Sequence, residues 1–142
     1  MHRMPISRRW SGAISAYRDA LQSGGHLGPR LARTRAMTVD LQDISIPIGD
    51  IELEGTLAIP TAVTGLVMFA HGSGSSRHSP RNRRVASLLH ERHLATLLFD
   101  LLTVDEERID AVDATLRFDV EMLAERLVAA TDSITAAGHS RG

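Results

Sequence analysis

Two kinds of hydrophobic pattern alternate along this chain. From Val39 to Ile59 apolar and polar positions take turns. Val39 and Leu41 are followed by Ile44, Ile46 and Ile48 with the phase slipped by one, and such a slip predicts a β-bulge. Gly49-Asp50 is a two-residue hairpin signal, after which Ile51, Leu53, Leu57 and Ile59 alternate against Glu52, Glu54 and Thr56, up to Pro60. That is an antiparallel hairpin with one wet face. At 65–70 and 94–99 the alternation disappears: Gly65-Leu66-Val67-Met68-Phe69-Ala70 and Leu94-Ala95-Thr96-Leu97-Leu98-Phe99 are nearly unbroken apolar runs. Strands covered on both faces of a parallel sheet read this way. Between them Ser79-Pro80 marks a helix start, and Val85, Leu88 and Leu89 supply its expected buried face. The spacing therefore predicts strand, helix and strand in a right-handed crossover.

Further on, Thr103 and Glu106 form a capping-box pattern ahead of an acidic turn. Asp105, Glu106, Glu107, Asp110 and Asp113 are expected on a solvated face. From Phe118 to about Ala130, Val120, Leu123, Ala124 and Leu127 mark another amphipathic helix. The fold class is α/β: a leading antiparallel hairpin followed by parallel strands with helices.

Charge divides the chain. All 16 basic residues are Arg; residues 1–36 hold seven of them against the single acid Asp19, and the remainder holds nine against sixteen acids. Residues 1–36 are thus expected to be a basic N-terminal extension ahead of a domain at 37–142. Within the extension Trp10, Ile14, Tyr17 and Leu21 make one stripe of a short amphipathic helix, closed by Gly24-Gly25 and Gly28-Pro29. It reads as a loosely ordered tail or as a helix lying on a membrane surface or a partner. The absence of Lys excludes a Walker-type phosphate loop and a Schiff base. With no Cys there is no disulfide, thiolate metal site or Cys nucleophile. No metal site or cofactor is expected, and His90-Glu91-Arg92-His93 falls one residue short of the H-E-x-x-H zinc pattern. No apolar run is long enough to cross a membrane and no secretory signal pattern is present, so a cytoplasmic location is expected.

The composition changes within one residue after Ala70, into His71-Gly72-Ser73-Gly74-Ser75-Ser76-Arg77-His78-Ser79-Pro80-Arg81-Asn82-Arg83. A Gly/Ser loop at the carboxyl end of a buried strand is where open α/β sheets bind ligands. Arg77, Arg81, Arg83 and Arg84 crowd the start of the following helix, where cations oppose the helix dipole; with the loop they could hold a phosphate or carboxylate. Gly138-His139-Ser140-Arg141-Gly142 matches G-x-S-x-G, the nucleophile elbow, with Ser140 as candidate nucleophile. The elbow requires a strand running into the Ser, and only Ile134 to Ala137 stands in that place.

The stretch from Gly65 to about Asp132, centred on the loop just quoted, resembles dienelactone hydrolase-like members of the α/β-hydrolase superfamily, and the preceding hairpin fits the same order. The resemblance implies a serine hydrolase acting on a small-molecule ester or lactone. It assigns an oxyanion-hole N–H to Ser73 or Gly74, and no nucleic-acid partner. In that superfamily an Asp or Glu and then a His follow the nucleophile along the chain. The residues through Gly142 supply neither, and His71, His78, His90, His93 and His139 stand elsewhere. The expectation is the first half of a hydrolase, inactive alone, with Leu94, Leu97, Leu98 and Phe99 offering a sheet edge for self-association. The alternative is a non-catalytic, anion-binding module using the loop 71–84, with Arg77 and Arg81 as its cations.

Overall fold

A computed structural model describes residues 15–19, 22, 37–71 and 75–139. Strands β1 (Val39–Ile48) and β2 (Ile51–Pro60) pair antiparallel around Gly49-Asp50. Gly49 takes φ 56°, which a residue without Cβ adopts cheaply. Strands β3 (Gly65–His71) and β4 (Leu94–Asp100) run parallel, joined through helix α1 (Pro80–His90). Helix α2 (Val104–Asp113), a 3-10 turn (Leu116–Phe118) and helix α3 (Val120–His139) follow. The four strands form one sheet in the order β1-β2-β4-β3, with β2 antiparallel to β4. The hairpin, the parallel pair and the crossover helix are those the hydrophobic pattern predicts.

The core fills one face of the sheet. Ile44, Ile46, Leu53, Leu57, Ala95, Leu97 and Phe99 lie under Ala130 and Ile134 of α3, and Ala16 and Tyr17 of the helical stretch 15–19 pack against the same cluster. Trp10, Ile14 and Leu21, the rest of the expected N-terminal stripe, lie outside the described residues. At Gly55 the two halves of the sheet come very close: a Cβ there would sit 3.1 Å from Leu97 Cδ1 and from Phe99 Cβ.

Four expectations are corrected. The β1–β2 register runs unbroken from Val39↔Pro60 to Ile48↔Ile51, so there is no bulge. The change of phase has another cause: Ile44 and Ile46 enter the core, whereas Val39 and Leu41 line a cleft on the opposite face. Second, β4 is not an edge. It hydrogen-bonds to β2 on one side and β3 on the other, so Leu97 and Phe99 are fully buried and the edge strands among the described residues are β1 and β3. Third, α1 turns Asn82, Ala86 and His90 inward in place of Val85 and Leu88, which are 42% and 55% exposed. Hydrogen bonds select that face: Asn82 Nδ2 donates to His71 Nε2 (2.6 Å), and His90 Nε2 meets Thr96 Oγ1 (2.8 Å). His90 is therefore not part of an exposed helix end. Fourth, α3 continues past Ala130 to His139, so residues 134–137 are helical.

The capping box is present, with Thr103 Oγ1 accepting from Glu106 N and Glu106 Oε2 accepting from Thr103 N. Two of the acids following Thr103 are not solvated. Asp110 is buried and binds Arg117 through its backbone N and Nε, both at 2.9 Å. Glu106 receives both Arg126 nitrogens (2.6 and 2.5 Å), and Arg126 also donates to Leu101 O (2.7 Å), tying α3 to α2 and to the chain just beyond β4. The bonds from Arg126, and then from the Thr103 backbone, outweigh burial and hold the Glu106 carboxyl down at about 2, from an ordinary 4.5. A lowered carboxyl pKa contributes stability that is present above the unfolded value and is lost as pH falls toward the folded one. Glu106→Gln is expected to cost about 1.5–3 kcal/mol at pH 7, and the gap from wild type should close between roughly pH 4.5 and 2. Urea titrations at pH 7 and pH 3 check this; an equal deficit at both would reject the linkage.

Candidate functional site at the carboxyl ends of β3 and β4

β3 and β4 are parallel and in register, so both end at the same level, His71 opposite Asp100. The Gly/Ser loop leaves from His71. Residues 72–74, including the expected oxyanion donors Ser73 and Gly74, lie outside the described residues, as does Ser140. What is described is how both flanks of the loop are held.

On the upstream flank His71 is buried between strand and helix. Its Nδ1–H donates to Phe99 O (3.1 Å), which leaves Nε2 unprotonated to accept from Asn82 Nδ2 (2.6 Å). Its own carbonyl accepts from Leu101 N (2.8 Å). One residue thus joins β3, β4 and α1. With both ring nitrogens engaged in structure, His71 is not placed to act as a general base.

On the downstream flank Ser76 and Arg77 carry the contacts. Ser76 O accepts from Ser79 N (2.8 Å) and Ser76 Oγ accepts from His78 N (3.2 Å), forming the turn that leads into α1. Ser79 occupies the N-cap with Pro80 after it, as expected, but its side chain makes no capping bond. Arg77 folds back onto the sheet. Its backbone N–H donates to Asp100 Oδ1 (2.8 Å), its Nη1 to Asp100 Oδ2 (2.7 Å) and its Nη2 to Glu54 Oε2 (2.6 Å). Its Nε is buried and has no partner among the described residues. Burial alone would lower the Arg77 pKa; the hydrogen bonds it donates to Asp100 and Glu54 overcome it and raise the pKa, so the guanidinium stays charged. Glu107 faces the same cluster. Burial, and after it the charge of Asp100, pushes its carboxyl pKa up against the opposing pull of Arg77.

The remaining cations of the loop are arranged differently. Arg81, Arg83 and Arg84 are exposed on α1, and Arg83 Nη2 reaches His78 Nδ1 (2.7 Å). Only Arg77 of the cluster is drawn inward, and its ion-pair partners are Glu54 and Asp100. Between α1 and the sheet lies an open cleft of about 420 Å³, lined by Val39, Leu41, Ala58, Leu98 and His90 with Arg77 at its margin. Burial lowers the His90 pKa, favouring the neutral ring. Among the described residues no group of three or more His, Asp or Glu can hold a metal ion, and no helix is long and apolar enough to cross a membrane.

Sequence reading missed Asp100, Glu54 and Asn82 as parts of this site. Glu54 sits in the alternating hairpin and reads as an ordinary wet-face acid. Asp100 offered a faint signal, a lone carboxylate closing an otherwise apolar strand. Ser140 follows directly on α3, so a helix rather than a strand leads into the G-x-S-x-G sequence.

No family model matches the chain. Over 90 residues it is 48% identical to a protein found in two strains of Mycobacterium tuberculosis, whose name assigns it provisionally to the phosphoribosyl transferases; the match covers 63% of this chain and 19% of that protein. Among solved structures a dienelactone hydrolase from Anabaena variabilis superposes with TM-score 0.66 at 55% identity, over 68% of this chain and 45% of the hydrolase. The chain thus spans a fifth of its curated relatives and under half of the solved enzyme. The mixed sheet, its strand order and the crossover helix, together with that identity, give this chain a dienelactone hydrolase-like α/β-hydrolase fold.

Proposed function

We propose that this stretch supplies the oxyanion side of a serine hydrolase site acting on small-molecule esters or lactones. The observation that carries the reading is the loop leaving His71, whose two flanks are tied to the end of β4 at the carboxyl ends of parallel strands. Backbone N–H groups of Ser73 or Gly74 would stabilise the oxyanion formed when the ester carbonyl is attacked. Such a donor is worth about 10²–10³ in kcat. Ser140 is the proposed nucleophile. A serine hydroxyl needs a base beside it to act as a nucleophile. The name of the mycobacterial relatives attaches to proteins of which the shared stretch is 19%, whereas the solved hydrolase shares the fold at 55% identity over 68% of this chain. The anion-binding alternative is weakened by Arg77, whose guanidinium is already engaged by two carboxylates, although Arg81 is exposed. Self-association through the open edge of β3 completes the proposal.

A fluorophosphonate probe tests it. Labelling of the chain that disappears in Ser140→Ala is the expected result if an activated serine is assembled. Labelling that survives the substitution would remove Ser140 from its role, and none under any condition would leave the fold without the activity.

A further inference from the structure

We infer that Asp100 is the positioning residue of the loop that leaves β3, acting through Arg77. This rests on the proposed hydrolase reading only for the use to which the loop is put. The inference itself stands on the contacts.

Asp100 ends the central strand β4: it pairs with His71 of β3, and the pairing of β4 with β2 reaches Phe99, one residue before it. It is 5% exposed, and both of its oxygens are occupied by one residue: Oδ1 by the Arg77 backbone N–H, Oδ2 by the Arg77 guanidinium. A carboxylate so engaged is not free to take a proton from a nucleophile or to orient a histidine. It acts as a template that fixes the main chain at 77 and the direction of its side chain together. Charge-assisted bonds to a buried carboxylate are stronger than neutral ones. The second arm of the guanidinium reaches across to Glu54 on β2, so the fork spans two adjacent strands.

The upstream flank is fixed to the neighbouring residue of the same strand, His71 Nδ1 to Phe99 O, and Leu101 N returns to His71 O. Both described flanks are thus held by Phe99 and Asp100 of β4 and by Leu101 just beyond it, and oxyanion donors depend on such preorganisation. Glu54, half-exposed, is an accessory to this arrangement, whereas Asp100 is central to it because, of the two carboxylates, it is the one that binds the Arg77 main chain.

The test uses the full chain and compares wild type with Asp100→Ala, Asp100→Asn and Glu54→Gln, reading amide hydrogen exchange at residues 75–78 against amides of the β1–β2 hairpin. Loss of both bonds in Asp100→Ala should speed exchange of the Arg77 amide by about 10–100-fold with the hairpin unchanged. Asp100→Asn keeps an oxygen for the backbone bond and should recover most of the protection; it also serves if the alanine variant fails to fold. Glu54→Gln should change exchange by no more than about threefold, the scale of an exposed ion pair. Equal acceleration in loop and hairpin, or an Arg77 amide that stays protected in Asp100→Ala, would overturn the inference. Fluorophosphonate labelling rates measured in parallel separate the two claims. An unlabelled wild type defeats the hydrolase reading and leaves the exchange result to decide this one; a labelled wild type whose rate ignores Asp100→Ala defeats this one alone.

Discussion

Truncating Phe99 to alanine is expected to lower the unfolding free energy by about 3–5 kcal/mol. Phe99 is fully buried on the central strand, opposite Gly55 on β2 and Ala70 on β3. Its Cβ lies where a side chain at 55 would have to go, so neither strand can shift to fill the void without breaking the register that makes the sheet. A domain's whole stability is about 5–15 kcal/mol, so a loss on this scale takes most of the margin. Urea unfolding followed by circular dichroism measures it. Leu41→Ala, at a site 68% exposed on the cleft rim, should change stability by no more than about 0.5 kcal/mol and serves as the control. A Phe99→Ala deficit below about 1 kcal/mol would mean that the site repacks and that the core is not centred on β4.

The purified chain is expected to sediment above its 15.5 kDa monomer mass in a concentration-dependent way. Among the described residues β3 has β4 on one side only, and its side chains from Leu66 to Phe69 are partly buried rather than covered. Val120, Leu127 and Val128 add exposed apolar surface on α3, at 73%, 40% and 59%. Leaving such side chains in water forfeits roughly 1.5–3 kcal/mol each, and an unpaired, uncharged strand is a template for another chain. Charges placed on that strand should act as natural edge protection does: Val67→Lys with Phe69→Lys is expected to shift the sedimenting species toward monomer. A wild-type monomer that melts sharply and binds no hydrophobic dye would show that the edge is protected by something else.

Local pattern carried the elements a long way. The contrast between Ile51-Glu52-Leu53-Glu54 and Leu94-Ala95-Thr96-Leu97 separates a half-wet hairpin strand from one covered on both faces, because side-chain period reports burial directly. It carries nothing about neighbours. That β4 slots between β2 and β3 depends on pairing Leu57 with Leu97 and Met68 with Leu97, contacts between residues far apart in sequence, so the open edge was assigned to the wrong strand. The face of α1 was misread for a related reason. Val85 and Leu88 are the more hydrophobic, but Asn82 and His90 have buried partners and turn the helix toward them. The loop was legible from its glycines and serines; its supports were not. Arg77 reaches 23 residues back to Glu54 and 23 forward to Asp100, and no local spacing rule connects those positions.

The place of β4 in the sheet also sets an order of events during translation. β3 is complete at His71, yet its hydrogen-bonding partner ends at Asp100, and the hairpin too can join β3 only through β4. At synthesis rates of about 5–20 residues per second, β3 waits on the order of seconds with both of its edges unsatisfied. In that interval Leu66-Val67-Met68-Phe69 is the nascent segment with the most to gain from a chaperone. Synonymous codons that slow the ribosome between 72 and 100 would lengthen its exposure without altering a single residue of the folded protein.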